Sequence, residues 1–216
     1  MTEPFRPIAN TIFRFALFGA AGLLAFTLWI SFQVVRSPYE MRQQNPREQP
    51  LPFSHKHHAG ALGIDCRYCH VSVETSSFAD IPPTATCMHC HSQLWAAAPA
   101  LAPVRTSYLT NRSIQWTKVY ELPEFVYFDH SIHIHKGVGC SSCHGRVDDM
   151  QLTWQAPQLT MSWCLDCHRD PERYVRPESE VFNMDYKVPA NQLALGRRLV
   201  SAYHIQSLTS CSYCHR

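Results

Sequence analysis

The chain has 216 residues, enough for one domain and a tail. Its 19 Lys and Arg against 17 Asp and Glu leave no strong net charge, which argues against a nucleic-acid partner or a highly charged docking face. Ten cysteines and thirteen histidines make about one residue in nine a metal-binding type, so part of the interior is expected to be cofactor instead of side chain.

The first element in the chain is "FALFGAAGLLAFTLWISFQVV", residues 15–35, a run of 21 without charge between Arg14 and Arg36. As a helix rising about 1.5 Å per residue it spans the roughly 30 Å apolar layer of a bilayer. A cleaved signal peptide would have a shorter apolar stretch, about 7 to 15 residues, ending at small residues. Here the small residues Gly19, Ala20, Ala21 and Gly22 lie mid-segment and the run ends in Phe32, Gln33, Val34 and Val35, so residues 1–36 are expected to be an uncleaved signal anchor. The Gly19 to Gly22 patch would let a neighbouring helix approach closely, or would simply face lipid. Trp29 sits where an interface aromatic belongs, whereas Arg6 and Arg14 on one side against Arg36, Arg42 and Arg47 on the other give no decisive charge bias.

Residues 37–52 are polar and proline-bearing and read as a semi-extended linker. Next comes "FSHKHH" at 53–58, then CRYCH at 66–70 and CMHCH at 87–91. The pattern then returns: "FDHSIH" at 128–133, CSSCH at 140–144 and CLDCH at 164–168. Phe128 lies 75 residues after Phe53, Cys140 lies 74 after Cys66, and Cys164 lies 77 after Cys87, which marks an internal duplication with modules at 53–91 and 128–168. Near the end, "NQLALGRRLVSAYH" carries Leu195, Leu199 and Tyr203 at four-residue steps behind Asn191 as N-cap, which predicts a short helix ending at His204 despite Gly196. CSYCH at 211–215 closes the chain and is unpaired in the duplication.

Five C-x-x-C-H motifs use all ten cysteines: Cys66 and Cys69, Cys87 and Cys90, Cys140 and Cys143, Cys164 and Cys167, Cys211 and Cys214. Disulfides would not require one spacing throughout, nor would structural zinc fix a histidine after the second cysteine five times in five. A c-type haem requires both: two thiols form thioethers to the porphyrin vinyl groups and the next residue turns its imidazole onto the iron. The proximal ligands are then His70, His91, His144, His168 and His215, and the cofactors are five covalently bound c-type haems.

Eight histidines remain as distal candidates. In each module two stand three apart, so on a helical turn they lie close together but diverge. His55 and His130 can fold back on the haem that follows them, and His58 and His133 can serve the other haem of the module. His89 lies inside its own motif, and His57 and His135 neighbour better-placed rings, so these three are expected to be bystanders. For the fifth haem His204 is the candidate, and a thioether from Met184, Met161 or Met150 is the rival, one that would raise the potential.

The stretches "PFSHKHHAGALGIDCRYCHVSVETSSFADIPPTATCMHCHSQ", "LPEFVYFDHSIHIHKGVGCSSCHGRVDDMQLTWQ" and "MSWCLDCHRDPERYVRP" resemble the membrane-anchored pentahaem cytochrome c component of alternative complex III, a likeness that covers almost the whole chain through CSYCHR. It implies an electron-transfer role within a quinol-oxidising complex of the bacterial cytoplasmic membrane. The partners would be integral membrane quinol-oxidising subunits, a monohaem cytochrome c and an iron–sulfur subunit.

The expected fold is therefore mainly α and irregular: one N-terminal transmembrane helix, then a compact pentahaem domain at 53–216 with short helices and coil around the haems. Haem attachment takes place outside the cytoplasmic membrane, so the N-terminus is expected in the cytoplasm and the haem domain on the periplasmic side. The apolar run carries no acid, base or histidine, so a proton acceptor for quinol must come from another subunit. Two other functions are weighed against the electron conduit. A multihaem reductase needs an open iron, commonly marked by an unusual proximal ligand, whereas all five motifs end in histidine. A stand-alone anchored quinol dehydrogenase feeding a periplasmic reductase would oxidise quinol without partners.

Overall fold

The computed structural model describes residues 7–215. Arg6, counted above among the anchor charges, and Arg216, the last residue of CSYCHR, lie outside the described residues. The chain divides between Gln43 and Gln44 into two units.

The first unit is one helix, α1 (Pro7–Val35), followed by turns. Its stretch Ile8–Val35 is long and apolar enough to cross a membrane, and none of it is buried within the protein. The helix begins eight residues upstream of the uncharged run because nothing from Pro7 onward interrupts it, and Pro suits a first helical turn. Arg36 closes it with its guanidinium 4.9 Å from the Phe32 ring centroid. Nothing lies within 4 Å of a Cβ built on Gly19 or Gly22, so the small-residue patch is open to an outside neighbour.

The second unit is built from short helices: α2 (Cys66–Cys69), α3 (Thr84–His91), α4 (Ala102–Thr110), α5 (His130–His135), α6 (Cys140–His144), α7 (Met161–Arg169), α8 (Gln192–Ala202) and α9 (Cys211–Cys214). A π-helical turn, Lys56–Ala61, precedes α2. Isolated bridges include Val126 with His215 and Val138 with Val175. Residues 44–52, read from sequence as linker, belong to this unit. Gln44 N–H donates to the Gln155 carbonyl at 2.9 Å, Arg47 to the Lys118 carbonyl at 2.8 Å and Gln49 to the Thr117 carbonyl at 2.9 Å, and Leu51 is buried.

Side chains alone make little core. Val73, Ile134 and Val181 cluster with Ala79, Cys140 and Phe182, while Val104, Met150 and Val175 are buried separately. Large apolar residues beside the motifs, such as Tyr68, Val71, Phe78, Leu94 and Trp95, are exposed in the polypeptide. A unit that leaves so much apolar surface next to its motifs is suited to hold another apolar body against it.

The segments 53–91 and 128–168, with the loops after their motifs, hold one another. The N-terminal segment of the first leans on the loop after the third motif: Lys56 N–H donates to the Met150 carbonyl at 3.0 Å, Lys56 Nζ pairs with Asp149 at 2.8 Å, and Ser54 Oγ donates to Gln151 at 3.1 Å. Correspondingly, α5 of the second leans on the loop after the first motif, with Ser131 N–H donating to the Ser76 carbonyl at 3.2 Å. The predicted C-terminal helix is present as α8, with Tyr203 at its C-cap. Gly196, unfavourable in a helix interior, is needed because a Cβ there would collide with the Glu172 carbonyl.

Candidate haem sites

Each C-x-x-C pair forms one helical turn. The cysteine carbonyl that opens the turn accepts from the histidine N–H that closes it, as in His70 N–H to the Cys66 carbonyl and His215 N–H to the Cys211 carbonyl, both 2.9 Å. Residues three and four apart share a helix face, so the two thiols and the imidazole point the same way. Asp65 caps α2 by accepting from Arg67 N–H at 2.8 Å, and Thr160 caps α7 by accepting from Trp163 N–H at 3.4 Å. The sites are numbered 1 to 5 in the order of their motifs.

Opposite four of the motif histidines stands a second histidine. Ring centroids are 6.5 Å apart for His55 and His70, 6.2 Å for His58 and His91, 6.4 Å for His130 and His144, and 6.2 Å for His133 and His168. Two imidazoles bound to opposite faces of one iron, through metal–nitrogen bonds of about 2.0 Å, place their centroids roughly 6.3 Å apart. All four pairs fit an iron between them. Among the described residues no group of three or more His, Cys, Asp or Glu converges as a tetrahedral zinc site would need.

A family model described as cytochrome c3 matches residues 132–216. The chain is also 36% identical, over a 143-residue alignment covering 56% of it and 68% of the relative, to the menaquinone reductase multihaem cytochrome c subunit of Nitratidesulfovibrio vulgaris (strain Hildenborough). The chain belongs to the multihaem cytochrome c family. It transfers electrons and binds c-type haem covalently.

The cytochrome fixes six of its eight paired rings through Nδ1. Nδ1–H donates to the carbonyl of Ser54 from His58 (2.8 Å), of Asp80 from His70 (2.7 Å), of Leu94 from His91 (3.1 Å), of Ser77 from His130 (2.9 Å) and of Asp129 from His133 (2.6 Å). His55 Nδ1 meets the Thr153 hydroxyl at 2.8 Å. Each carbonyl acceptor sets the tautomer and leaves Nε2 as the metal-binding nitrogen. Phe53 packs edge-on to His55 and flat on His58, and Phe128 repeats this on His130 and His133, which gives the phenylalanine of the duplicated pattern its role as a stop behind both rings. Burial, aided by His70 and His58, pushes His55 down to about 4. His144 is likewise at about 4 through burial and then His130, His70 and His55, and burial lowers His133. These shifts favour the neutral ring, the form that binds metal.

The other histidines are engaged differently. His135 Nε2–H donates to the Glu74 carbonyl at 2.9 Å, His89 Nδ1 meets the Tyr68 hydroxyl at 2.8 Å, and His57 stacks on Trp95 at 5.7 Å.

Site 5 departs from the pattern. Among the described residues the ring against His215 is Phe125, 5.8 Å away and tilted by 30°, and His204 is not brought opposite His215. His204 is exposed just beyond α8 with φ at 49°, a left-handed turn. α8 is anchored by Gln192 donating to the carbonyls of Glu172 and Val175, and by Tyr203 accepting from Lys136 and Glu178. Of the rival methionines, Met150 is a core residue at 3% exposure beside Gly145, Met161 is exposed at the start of α7, and Met184 is half-buried.

The thiols show which motifs are neighbours. Cys143 is pushed up to about 12 by burial and then by Cys167 and Cys164, and Cys140 to about 11 by burial and then Cys66. Burial raises Cys69 with help from Cys87, and Cys164 with help from Cys214. The cluster around Arg176, which grips the α6 turn, carries no sequence motif and was not legible in the chain.

Proposed function

We propose that this cytochrome is the membrane-anchored, five-haem electron relay of a quinone-linked oxidoreductase resembling alternative complex III. The observation that carries the relay is the four opposed histidine pairs, joined to five C-x-x-C-H motifs. Each haem, when bound, supplies a one-electron Fe(III)/Fe(II) couple. The ten thiols fix the porphyrin edges. His70, His91, His144, His168 and His215 would hold the irons, with His55, His58, His130 and His133 as the second ligands in sites 1 to 4. With two histidines available to hold each of these four irons, substrate would find no open position there, which favours conduction over reductase chemistry.

A spatial order of sites supports conduction along the chain. Sites 1 and 2 are served from one turn by His55 and His58, and their motif loops meet through Tyr68 and His89. Sites 1 and 3 exchange braces, since Thr153 holds His55 and Ser77 holds His130. Sites 3 and 4 are served from α5, and site 5 is tied to site 4 by Ser207 Oγ donating to the His168 carbonyl at 2.9 Å. The resulting order is 2, 1, 3, 4, 5.

In this reading α1 anchors the protein with its N-terminus in the cytoplasm and the haems on the periplasmic side. Quinone chemistry belongs to integral membrane partners, since the helix has no proton acceptor in its apolar run, while a monohaem cytochrome c and an iron–sulfur subunit complete the path. The relative is named a menaquinone reductase subunit, which favours a second reading with electrons flowing towards the quinone. The test uses the detergent-purified complex beside the isolated cytochrome, with a pyridine-haemochrome count of five haems per chain expected. Quinol should reduce the haems in the complex and leave the isolated cytochrome oxidised. Reduction of the isolated cytochrome would indicate a stand-alone quinol dehydrogenase, and quinone reduction by pre-reduced complex without the reverse reaction would reverse the direction.

A further inference from the structure

Arg176 is 6% exposed, yet among the described residues no carboxylate forms an ion pair with it. It sits on the turn between Cys140 and Cys143. Its Nη2 donates to Ser141 Oγ at 3.2 Å and Ser142 Oγ at 3.4 Å, the two residues between those cysteines, and Nη1 donates to the Asn183 carbonyl at 3.3 Å. The guanidinium lies 4.4 Å from the Tyr186 ring centroid, a cation–π contact. Gly139, next to Cys140, has no Cβ because one there would collide with the guanidinium. Nε is buried with no acceptor in the polypeptide. Even Cys140 N–H is bonded from the same side, to the Val181 carbonyl at 3.1 Å.

A buried cation with no carboxylate in ion-pair contact is costly, even with Glu180 in the vicinity, and a guanidinium does not shed its proton to avoid that cost. Serine hydroxyls and a tyrosine face satisfy it only partly. A structural clamp for the turn could be built from neutral groups, so the charge itself needs a use. Oxidising a haem adds one positive charge to the iron, and a fixed cation nearby in a poorly solvated site opposes that change.

We infer that Arg176 is a redox-tuning residue: its buried guanidinium, seated on the Cys140–Cys143 turn, holds the haem of site 3 towards the ferrous state. The inference rests on site 3 carrying a haem, and it places the more positive of the two module-leading potentials at site 3, since the matching turn of site 1 has Arg67 exposed and paired with Asp65.

Three variants of the full-length holoprotein test it by redox titration followed in the EPR and visible spectra. Arg176→Gln removes the charge. Ser141→Asp keeps the arginine and sets a carboxylate where the hydroxyl now accepts from it. Arg176→Lys keeps the charge and loses the fork. At a fixed applied potential one haem should show a ferrous to ferric ratio about tenfold lower in Arg176→Gln and Ser141→Asp, which is 59 mV for one electron, and close to the parent in Arg176→Lys. If Arg176→Gln does not retain its haems, Ser141→Asp decides. Unchanged potentials in a five-haem Ser141→Asp protein would overturn the tuning role and leave a purely structural clamp, whereas a parent with fewer than five haems and no haem on Cys140 and Cys143 would instead overturn the pentahaem reading.

Discussion

His55 and His70 present ring planes only 10° apart, and His130 and His144 only 15° apart, whereas His58 and His91 stand at 68° and His133 and His168 at 80°. Parallel axial planes bond to the same iron d orbital and split it from its partner, while perpendicular planes leave the two nearly degenerate and make the ferric iron strongly anisotropic. The expected low-temperature EPR spectrum of the oxidised protein therefore contains two ordinary rhombic low-spin haems, from sites 1 and 3, and two with a markedly larger maximum g-value, from sites 2 and 4. A spectrum with a single low-spin class for these four would contradict the ring geometry. Removing one ring tests the pairing itself. His58→Ala takes away the partner of His91 and leaves CMHCH intact, so the haem count should stay at five while one additional haem per chain becomes high-spin and binds CO when reduced. An unchanged CO spectrum would mean that His91 has a different partner.

At the level of elements, the short helices are held by contacts across the chain more than by their own propensities. Four residues of CRYC cannot form an independent helix, since nucleation of so short a turn is unfavourable; capping by Asp65 supplies part of the missing stability, and under the proposed haem attachment two thioether links would add to it. α8 depends on Gly196 meeting the Glu172 carbonyl. Gly196→Ala gains helix propensity but forces α8 off the 171–173 turn, so a net cost of about 1–3 kcal/mol is expected, read as a lower guanidinium midpoint of the holoprotein. A raised midpoint would show that the helix can shift freely. What the sequence reveals follows the same division. Motif spacing and the three-residue step from His55 to His58 and from His130 to His133 are local, and so were readable. The docking of residues 44–52, the need for Gly196, the seat of Arg176 and the displacement of His204 from His215 depend on partners tens of residues away, which periodicity does not encode. His204 shows the limit well: its helix was legible, but the left-handed turn after Tyr203 and the bonds that hold α8 to the 172–178 segment were not.

On the scale of the molecule, the reciprocal braces make sites 1 and 3 the interior of the assembly and leave sites 2 and 5 at its ends. A motif at an end should be removable without loss of the rest. CSYCH is tied in mainly by Tyr127 N–H donating to the Cys214 carbonyl at 2.8 Å and by the bridge of Val126 with His215, neither of which touches the histidine pairs of sites 1 to 4. The double variant Cys211→Ala, Cys214→Ala should therefore carry four haems per chain by pyridine haemochrome, keep both low-spin EPR classes with their intensities, and lose only the component that belongs to neither. On the proposed reading the corresponding change at the interior, Cys140→Ala with Cys143→Ala, would remove the haem between His130 and His144, and with it the ligation that would set α5 against the Ser76 to Ser77 loop and its counterpart at Thr153. That protein should lose more than one haem and fold poorly. Equal losses from the two double variants would mean that the sites are mutually dependent throughout, and that the order 2, 1, 3, 4, 5 does not describe how the domain is assembled.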